Sequence, residues 1–288
     1  MADAAYTLRM PGARTTSVIF SSPHSGRAYP EAFLRQTVLD ERGVRSSEDA
    51  FVEELVAAAP DFGAPLLIAH APRAFVDLNR SADELDPALI EGVPRVAHNP
   101  RISSGLGVIP RVVANGRAIY RGKISRADAE RRLAEHWHPY HATLRRLTED
   151  SRATFGEAIL IDCHSMPHEA IEQAGPPGIR PPEVVLGDRF GAAASAEVVD
   201  RVEEAFRRAG LRVARNAPFA GAYITQAYGR PARGVHVLQV EVDRALYMDE
   251  RTIRRAPGFE AFRQLMTSVI AEVAAIGRPG AALPLAAE

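Results

Sequence analysis

The chain has 288 residues, of which 46% are apolar and 25% charged, as in an ordinary globular protein with a large core. Its formal net charge of -1 argues against nucleic acid or an anionic membrane as partner, so a small-molecule ligand is expected. The single cysteine, Cys163, excludes an intrachain disulfide framework and any cysteine-based zinc cluster. A bound metal would have to rest on His, Asp and Glu side chains.

The start of the chain has no basic segment followed by an apolar core, and no uncharged apolar run is long enough to span a bilayer. We therefore expect a cytoplasmic protein without a membrane partner. No internal repeat or linker stands out. The predicted organisation is an N-terminal extension over residues 1–15, a single domain over 16–276 and a C-terminal tail over 277–288.

Residues 16–21 predict a first strand, and His24 follows it at a strand exit, where Gly26 allows a sharp turn. The alternative is a turn whose histidine faces solvent. Further on, Ser46 and Asp49 have the spacing of a capping box before a short helical pattern over residues 51–56. Glu48 and Asp49 would then need no metal, because acids are expected in the first turn of a helix.

Residues 65–69 and 74–78 predict two more strands, and the second ends in Asn79 and Arg80. An amide beside a guanidinium suits a carboxylate ligand, because arginine offers a bidentate fork. The alternative is a surface turn in which Arg80 pairs with Asp77 or Asp83. Residues 81–122 are rich in Pro, Gly and Asn and predict loops that shape a pocket.

Ser125 and Asp128 predict a capping box at the start of a long helix, which Pro139 should kink or split. His136, His138 and His141 follow, but their spacings do not align on an unbroken helix, so we favour no metal cluster there. Residues 170–182 predict a loop. Strands over 183–186 and 211–214 and helices over 198–206 and 262–276 complete an alternating pattern that is typical of α/β layers.

The most informative strand covers residues 158–161, an apolar run that delivers Asp162 and His164 to its end. A hydrogen-bonded histidine that caps a loop is the alternative. Residues 236–243 alternate with a period of two, so Glu241 lies on a polar face as a candidate general base, unless this is an edge strand facing water. The preceding segment, 218–231, carries aromatic residues and could close over a substrate.

Two histidines at strand exits, nearby acids, an Asn beside an Arg and a late Glu match the needs of a mononuclear zinc hydrolase. The motifs SSPHSG, SSEDAFVEEL, APRAFVDLNR, LIDCHSMP and PFAGAYITQ with LQVEVDRALYM occur in order over about residues 16–250. Together they resemble the N-formylglutamate amidohydrolase family, a distant relation of zinc carboxypeptidases and aminoacylases.

The resemblance implies a three-layer α/β/α fold with a mixed central sheet, zinc carboxypeptidase-like, and hydrolysis of an N-acyl amino acid, typically N-formyl-L-glutamate. It implies one zinc ion per chain, held by His24, His164 and an acid, which we place at Asp49 with Glu48 as the alternative. The chain has no His-x-x-Glu motif, since Arg27 stands three residues after His24.

The implied roles are Glu241 as general base, Arg73 as stabiliser of the oxyanion or partner of the glutamate side chain, and Asp162 as the residue that orients a ligand histidine. The predicted substrate-binding residues are Asn79, Arg80 and Tyr223. Cys163 is expected to be buried and inert. The alternatives are a hydrolase of another N-acyl amino acid or short peptide, and a non-catalytic binding protein on the same fold.

Overall fold

The computed structural model describes residues 4–94, 99–172 and 180–280 and contains a seven-stranded mixed sheet. Its strands are β1 (Tyr6–Arg9), β2 (Val18–Ser22), β3 (Leu66–Ala69), β4 (Ala158–Met166), β5 (Val184–Gly187), β6 (Val213–Arg215) and β7 (Val235–Asp243). Their order is β1-β3-β2-β4-β7-β5-β6. The four central strands are parallel, β1 runs antiparallel to β3, and β5 runs antiparallel to β7. A two-stranded ribbon, β8 (Met248–Asp249) and β9 (Arg254–Arg255), stands apart.

Helices cover both faces of the sheet. They are α1 (Glu31–Gln36), α2 (Glu41–Arg45), α3 (Val52–Leu55), α4 (Pro100–Ser103), α5 (Arg126–Arg132), α6 (His138–Phe155), α7 (His168–Glu172), α8 (Ala196–Arg208), α9 (Tyr223–Tyr228) and α10 (Phe259–Ile276). One apolar core joins the sheet to α3, α8 and α10, and a second joins the opposite face to α1, α5, α6 and the loops between β3 and α5. The predicted three-layer α/β/α architecture with a mixed sheet is confirmed.

β4 lies at the centre of the sheet and is buried along its whole length. Because side chains alternate between faces, Ile161 and Cys163 enter one apolar core, whereas Asp162 and His164 face the other side. The parallel register with β7 sets Asp162 beside Gln239 and His164 beside Glu241. β7 lies between β4 and β5, so the edge-strand alternative for residues 236–243 is wrong.

Residues 74–78 do not form the predicted strand. The amides of Phe75 and Val76 both donate to the carbonyl of Pro72, which closes a turn. The apolar side chains of this segment are nevertheless buried, because they pack into the core on the α5 and α6 side. An apolar run of this length fills a core from a turn as well as from a strand, which explains the wrong prediction.

The capping box predicted for Ser46 and Asp49 is also wrong. Ser46 lies at the end of α2 and its hydroxyl donates to the carbonyl of Gly43. The helix that follows, α3, begins after Phe51, which has a left-handed backbone (φ 67°). This turn separates Asp49 from the helix and leaves its carboxylate available for other contacts.

The long helix after Ser125 begins as predicted, because the Ser125 hydroxyl accepts a hydrogen bond from the Asp128 amide. The predicted disturbance at Pro139 takes the form of a π-helical turn, Leu133–Trp137, between α5 and α6. Pro139 has no amide hydrogen to donate to the carbonyl oxygen of residue 135, and the wider π-helical turn accommodates the missing hydrogen bond.

Both ends of the described chain are tied to the sheet. The predicted N-terminal extension supplies β1, which pairs with β3, and the Gly277 carbonyl accepts a hydrogen bond from the Ser17 amide. The predicted loop over 170–182 begins inside α7, and residues 173–179 lie outside the described residues, as does the end of the predicted tail from residue 281. Within the three described segments, no helix is both long and apolar enough to cross a membrane.

Replacing Leu160 by alanine tests the packing beneath the site. Leu160 is fully buried in β4, so we expect a loss of about 2–5 kcal/mol in the free energy of unfolding. Denaturant unfolding would measure it. Leu34→Ala on α1, where the side chain is 44% exposed, serves as control and should change stability by less than about 0.5 kcal/mol. Equal effects of the two substitutions would contradict this view of the core.

Candidate active site

Three side chains from separate segments meet at the carboxyl ends of the parallel strands. His24 follows β2, His164 lies near the end of β4, and Asp49 precedes α3. His164 Nδ1 lies 2.9 Å from Asp49 Oδ2, and His24 Nδ1 lies 3.5 Å from the same oxygen. All three side chains are at least 97% buried. The Asp49 amide donates to the His24 carbonyl, which fixes the two loops against each other.

The other nitrogen of each imidazole contacts a carboxylate. His24 Nε2 lies 2.7 Å from Asp77 Oδ1, and His164 Nε2 lies 2.9 Å from Asp162 Oδ2. Asp162 is in turn held by the hydroxyl of Ser21, which donates to its Oδ1. Each carboxylate holds its imidazole through Nε2, which leaves Nδ1 of both rings facing Asp49.

These charges shift the ionisation of the cluster. Burial raises the pKa of Asp49, but the imidazoles of His164 and His24 outweigh burial and hold that pKa well below its ordinary value. Burial lowers the pKa of His164, yet Asp162 and Asp49 raise it well above the usual range. For Asp77, burial is likewise outweighed by His24 and Arg73, so its pKa lies well below normal.

The geometry fits a metal ion. Among the described residues, His24, Asp49 and His164 are the one group whose ligand atoms gather closely, within 4.8 Å of one another. His24 Nδ1 is buried and has no hydrogen-bond partner, so a ligand atom already faces the centre of the group. Two imidazoles and one carboxylate form a donor set that suits zinc, and the carboxylates behind both histidines are typical of zinc sites.

Asp49 rather than Glu48 faces the histidines. The Glu48 carboxylate accepts hydrogen bonds from Arg45 and Tyr29 and lies outside the group. The second oxygen of Asp49, Oδ1, accepts a hydrogen bond of 3.0 Å from Arg244 Nη2. Arg244 is buried and also donates from Nε to the Ser165 hydroxyl. Only one oxygen of Asp49 therefore remains free to meet the imidazoles.

Glu241 lies on β7 beside His164 and lines the same cavity. Gln239 Nε2 donates a hydrogen bond of 2.8 Å to its carboxylate. Burial, together with the charge of Asp49, raises the pKa of Glu241 to about 7 against the opposing effects of His164 and Arg73. A carboxylate with a pKa near neutrality can both take up and release a proton under working conditions.

The cavity in front of the group has a volume of about 580 Å³. As predicted, the loops between β3 and α5 line part of it, including Leu106 and Val112. Arg73 donates from Nε to Asp77 Oδ2, and both of its terminal nitrogens remain without a described partner. Arg80 donates from Nε to the Leu106 carbonyl and from Nη1 to the Asn79 carbonyl. Both guanidinium groups line the cavity.

Asn79 contacts several of the buried polar side chains around His164. Its Nδ2 lies within 3.3 Å of Asp162 Oδ2, Gln239 Oε1 and His164 Nε2, and its Oδ1 accepts a hydrogen bond from the Ile224 amide. The Asn79 side chain lines the cavity but is already engaged on both ends. The alternative placed this turn on the surface, which is wrong because Asn79 and Arg80 are both buried, but the ion pair that it expected with Asp77 is present, with Arg80 Nε 4.0 Å from Asp77 Oδ2.

The other predicted residues lie outside the cavity. Tyr223 follows the cavity-lining Ala222, and its ring packs against Trp137 and His141, so its role in substrate binding stays a prediction. His141 contacts the Tyr228 hydroxyl and the Leu78 carbonyl and takes no part in the group of potential metal ligands. Cys163 is buried in the opposite core, where burial raises the pKa of its thiol well above the ordinary value.

Three residues of the site were not predicted from the sequence: Asp77, Gln239 and Arg244. Gln239 lies on the same strand face as Glu241, so the period of two was a usable signal. Arg244 directly follows β7, and the strand-exit rule applied to His24 and His164 would have selected it. Asp77 carried no such signal, because it lies in a turn that the sequence predicts as a strand.

Comparisons with known proteins identify the family of this chain. A family model described as N-formylglutamate amidohydrolase matches residues 16–248. An N-formylglutamate deformylase from Pseudomonas aeruginosa is 30% identical over 270 residues, which cover 91% of this chain and 94% of the relative. A second N-formylglutamate deformylase, from Pseudomonas putida, is 29% identical over 81% of this chain and 82% of the relative.

A solved structure extends the likeness to three dimensions. The crystal structure of N-formylglutamate amidohydrolase from Ralstonia eutropha JMP134 superposes with a TM-score of 0.89 at 36% sequence identity, covering 96% of this chain and 99% of that one. The model match takes in every residue of the cluster as well as Glu241 and Arg244. This chain therefore belongs to the N-formylglutamate amidohydrolase family and is a hydrolase that acts on an amide bond.

Proposed function

We propose that the protein is a zinc-dependent deformylase that hydrolyses N-formyl-L-glutamate to formate and L-glutamate, with Glu241 as the general base. The observation that carries the proposal is the juxtaposition of two carboxylate-backed imidazoles, Asp49 and a near-neutral Glu241 in one cavity. The names of the Pseudomonas relatives supply the choice of substrate.

His24, Asp49 and His164 would hold one zinc ion per chain, and Asp77 and Asp162 would orient the two imidazoles. Zinc held there supplies Lewis-acid chemistry, which polarises an acyl oxygen and lets water lose a proton near neutral pH. Arg244 restrains Asp49 through the oxygen that faces away from the histidines.

Glu241 performs the proton transfers. Its carboxylate takes a proton from water as the oxygen attacks the formyl carbon, and it then delivers the proton to the leaving nitrogen. The hydrogen bond from Gln239 Nε2 fixes the orientation of one carboxylate oxygen, Oε1. Burial of the carboxyl group raises its pKa, which makes the carboxylate a stronger base than an ordinary glutamate for the first transfer, from water.

The arginines provide the positive charge that a dicarboxylate substrate requires. Arg80 keeps Nη2 without a described hydrogen bond and faces the cavity, so it would bind the α-carboxylate, with Asn79 beside it. Arg73, fixed through Nε by Asp77, would turn its terminal nitrogens to the developing oxyanion. Donors that are fixed before reaction stabilise charge without reorganisation.

The test is formate release from N-formyl-L-glutamate by purified protein, measured with and without a chelator and paired with elemental analysis. We expect about one zinc per chain and release that stops on metal removal and returns on adding zinc. N-formyl-D-glutamate is the matched control substrate and should be hydrolysed far more slowly. A zinc-loaded, folded protein that releases no formate would contradict the proposed substrate, and chelator-resistant release would contradict the metal.

Asp77→Asn tests the support behind His24. The substitution removes the charge that orients the Nε2 proton, so we expect metal affinity to fall about 10- to 100-fold. Competition with a chromogenic chelator would measure it. Asp83→Asn, at an exposed position outside the site, should leave affinity unchanged. Unchanged affinity in a folded Asp77→Asn protein would remove Asp77 from this role.

A further inference from the structure

Residues 217–224 cross the end of β5 next to the active site. Gly187, the last residue of β5, is paired with Gln239 on β7. A Cβ atom at Gly187 would lie 2.6 Å from the Gly221 nitrogen and 2.7 Å from the carbonyl carbon of Ala220. The absence of a side chain at Gly187 therefore lets the segment lie directly against the strand, beside Gln239.

The segment donates two backbone hydrogen bonds to side chains of the site. The Ala222 amide donates to Gln239 Oε1 over 2.9 Å, and the Ile224 amide donates to Asn79 Oδ1 over 2.7 Å. Asn79 Nδ2 lies 3.3 Å from Gln239 Oε1 and adds a second donor there. A backbone N–H can only donate, so it fixes which end of a side-chain amide it meets. The oxygen of each side-chain amide therefore faces the segment.

The orientation of Gln239 determines what it presents to Glu241. With Oε1 accepting from the Ala222 amide, Nε2 donates to Glu241 Oε1 over 2.8 Å. A flipped Gln239 would place its oxygen against the carboxylate and its NH₂ group against the Ala222 N–H, which are two repulsive contacts. Because Gln239 is buried, such unpaired polar contacts are costly.

Glu241 depends on this one bond for its orientation. Among the residues that the structure describes, Gln239 is the single hydrogen-bond donor to its carboxylate. The other oxygen, Oε2, has no described hydrogen bond and remains available to take a proton. A general base must be held in place, since misplacement of a reacting group by about 1 Å can lower the rate about 10²-fold.

We infer that residues 217–224 position the general base: the Ala222 amide sets the orientation of Gln239, and Gln239 holds the Glu241 carboxylate in the direction from which it takes a proton. The inference rests on the proposed function, which makes Glu241 the base. It gives the segment a role that requires it to stay in place during turnover rather than to close over a substrate.

A double-mutant cycle tests the step from Gln239 to Glu241. Gln239→Met removes the donor without adding charge, whereas Gln239→Glu keeps an acceptor for the Ala222 amide but has no N–H to donate to Glu241. We expect each to lower kcat for N-formyl-L-glutamate by about 10- to 100-fold, with KM changed by less than about twofold and zinc content unchanged. In a Glu241→Gln protein the same substitutions should leave the residual kcat unchanged, because the base on which they act is gone.

Gly187→Ala tests the step from the segment to Gln239. The added methyl group meets the backbone of Ala220 and Gly221 and moves the segment off the strand. We expect kcat to fall about tenfold, and no further fall in the Glu241→Gln protein. Gly122→Ala, at an exposed glycine where a Cβ atom meets nothing within 4 Å, and Gln264→Met, exposed on α10, are the matched controls and should leave kcat unchanged.

Wild-type kcat in folded Gln239→Met or Gly187→Ala protein would overturn the positioning inference and leave the proposed function standing. An equal further loss in the Glu241→Gln protein would also overturn it, because the substitutions would then act elsewhere in the site. A loss confined to Gln239→Glu would assign the effect to the added charge and contradict the inference. If the Gln239 variants do not fold, Gly187→Ala decides. No formate release by folded, zinc-loaded wild type would overturn the proposed function and the inference with it.

Discussion

Glu241→Gln is expected to lower kcat for N-formyl-L-glutamate by about 10²- to 10⁴-fold, while the protein keeps its zinc and its fold. Glutamine has nearly the same shape and retains a hydrogen-bonding oxygen for Gln239 Nε2, but it cannot accept a proton from water. Since Glu241 lies outside the group of three proposed metal ligands, its charge should not be needed to hold the ion. Steady-state kinetics together with elemental analysis would separate the two effects.

The pH dependence of kcat/KM gives a second measurement on the same residue. The base must be ionised, so activity should fall about tenfold for each pH unit below the pKa of Glu241. That pKa is about 7 in the metal-free protein, and a neighbouring cation lowers it, so the acidic limb should lie at or below pH 7.

Glu149→Gln, an exposed position on α6, is the control and should leave both the rate and the pH profile unchanged. A Glu241→Gln protein that turns over at the wild-type rate would exclude Glu241 as the base. Loss of zinc in that variant would instead show that Glu241 helps to hold the metal.

The strand exits were predictable from sequence because the rule behind them is geometric. Apolar runs before His24 and His164 predict buried strands, and parallel buried strands end at the same edge of a sheet. The alternation of residues 236–243 likewise selects one face for Glu241. These residues are brought together by regular structure, whose side-chain directions follow from local periodicity alone.

The choice between Glu48 and Asp49 could not be made that way. In an irregular segment the directions of adjacent side chains follow no fixed period, so they depend on the backbone conformation of each residue. Here the left-handed turn at Phe51 and the hydrogen bond from the Asp49 amide to His24 decide the outcome. Phenylalanine rarely adopts a positive φ, so nothing in the local sequence predicts this turn. Only the packed structure shows which carboxylate faces the histidines.

Asp77 and Arg244 show a second limit on what can be predicted from sequence. Each acts through a partner that is distant in sequence: Asp77 through His24, and Arg244 through Asp49. A buried charge is stable only with such a partner, yet a partner 53 or 195 residues away leaves no periodic signal. The two histidines lie at strand ends, whereas Asp49 and the residues that orient the group are placed by tertiary contacts.

His24→Ala is expected to release the metal and, with it, nearly all activity. Removing a direct ligand should weaken zinc binding by more than the roughly 10- to 100-fold that loss of an orienting partner costs. His24 Nδ1 is buried without a hydrogen bond, and its nearest charged neighbour, at 3.5 Å, is Asp49 Oδ2, which belongs to the same group. Elemental analysis after dialysis against a chelator, compared with wild type treated in parallel, would measure the loss.

Two further variants separate loss of the metal ligand from other effects of the substitution. His138→Ala removes an exposed imidazole from α6 and should leave the zinc content unchanged. His24→Gln fills more of the buried space, so a folded His24→Gln protein that has lost its zinc would assign the effect to the lost ligand rather than to unfolding. Full zinc retention in both His24 variants would remove His24 from the ligand set. The metal would then rest on Asp49 and His164 with a different third group, of which Glu241 is the cavity-lining carboxylate beside His164.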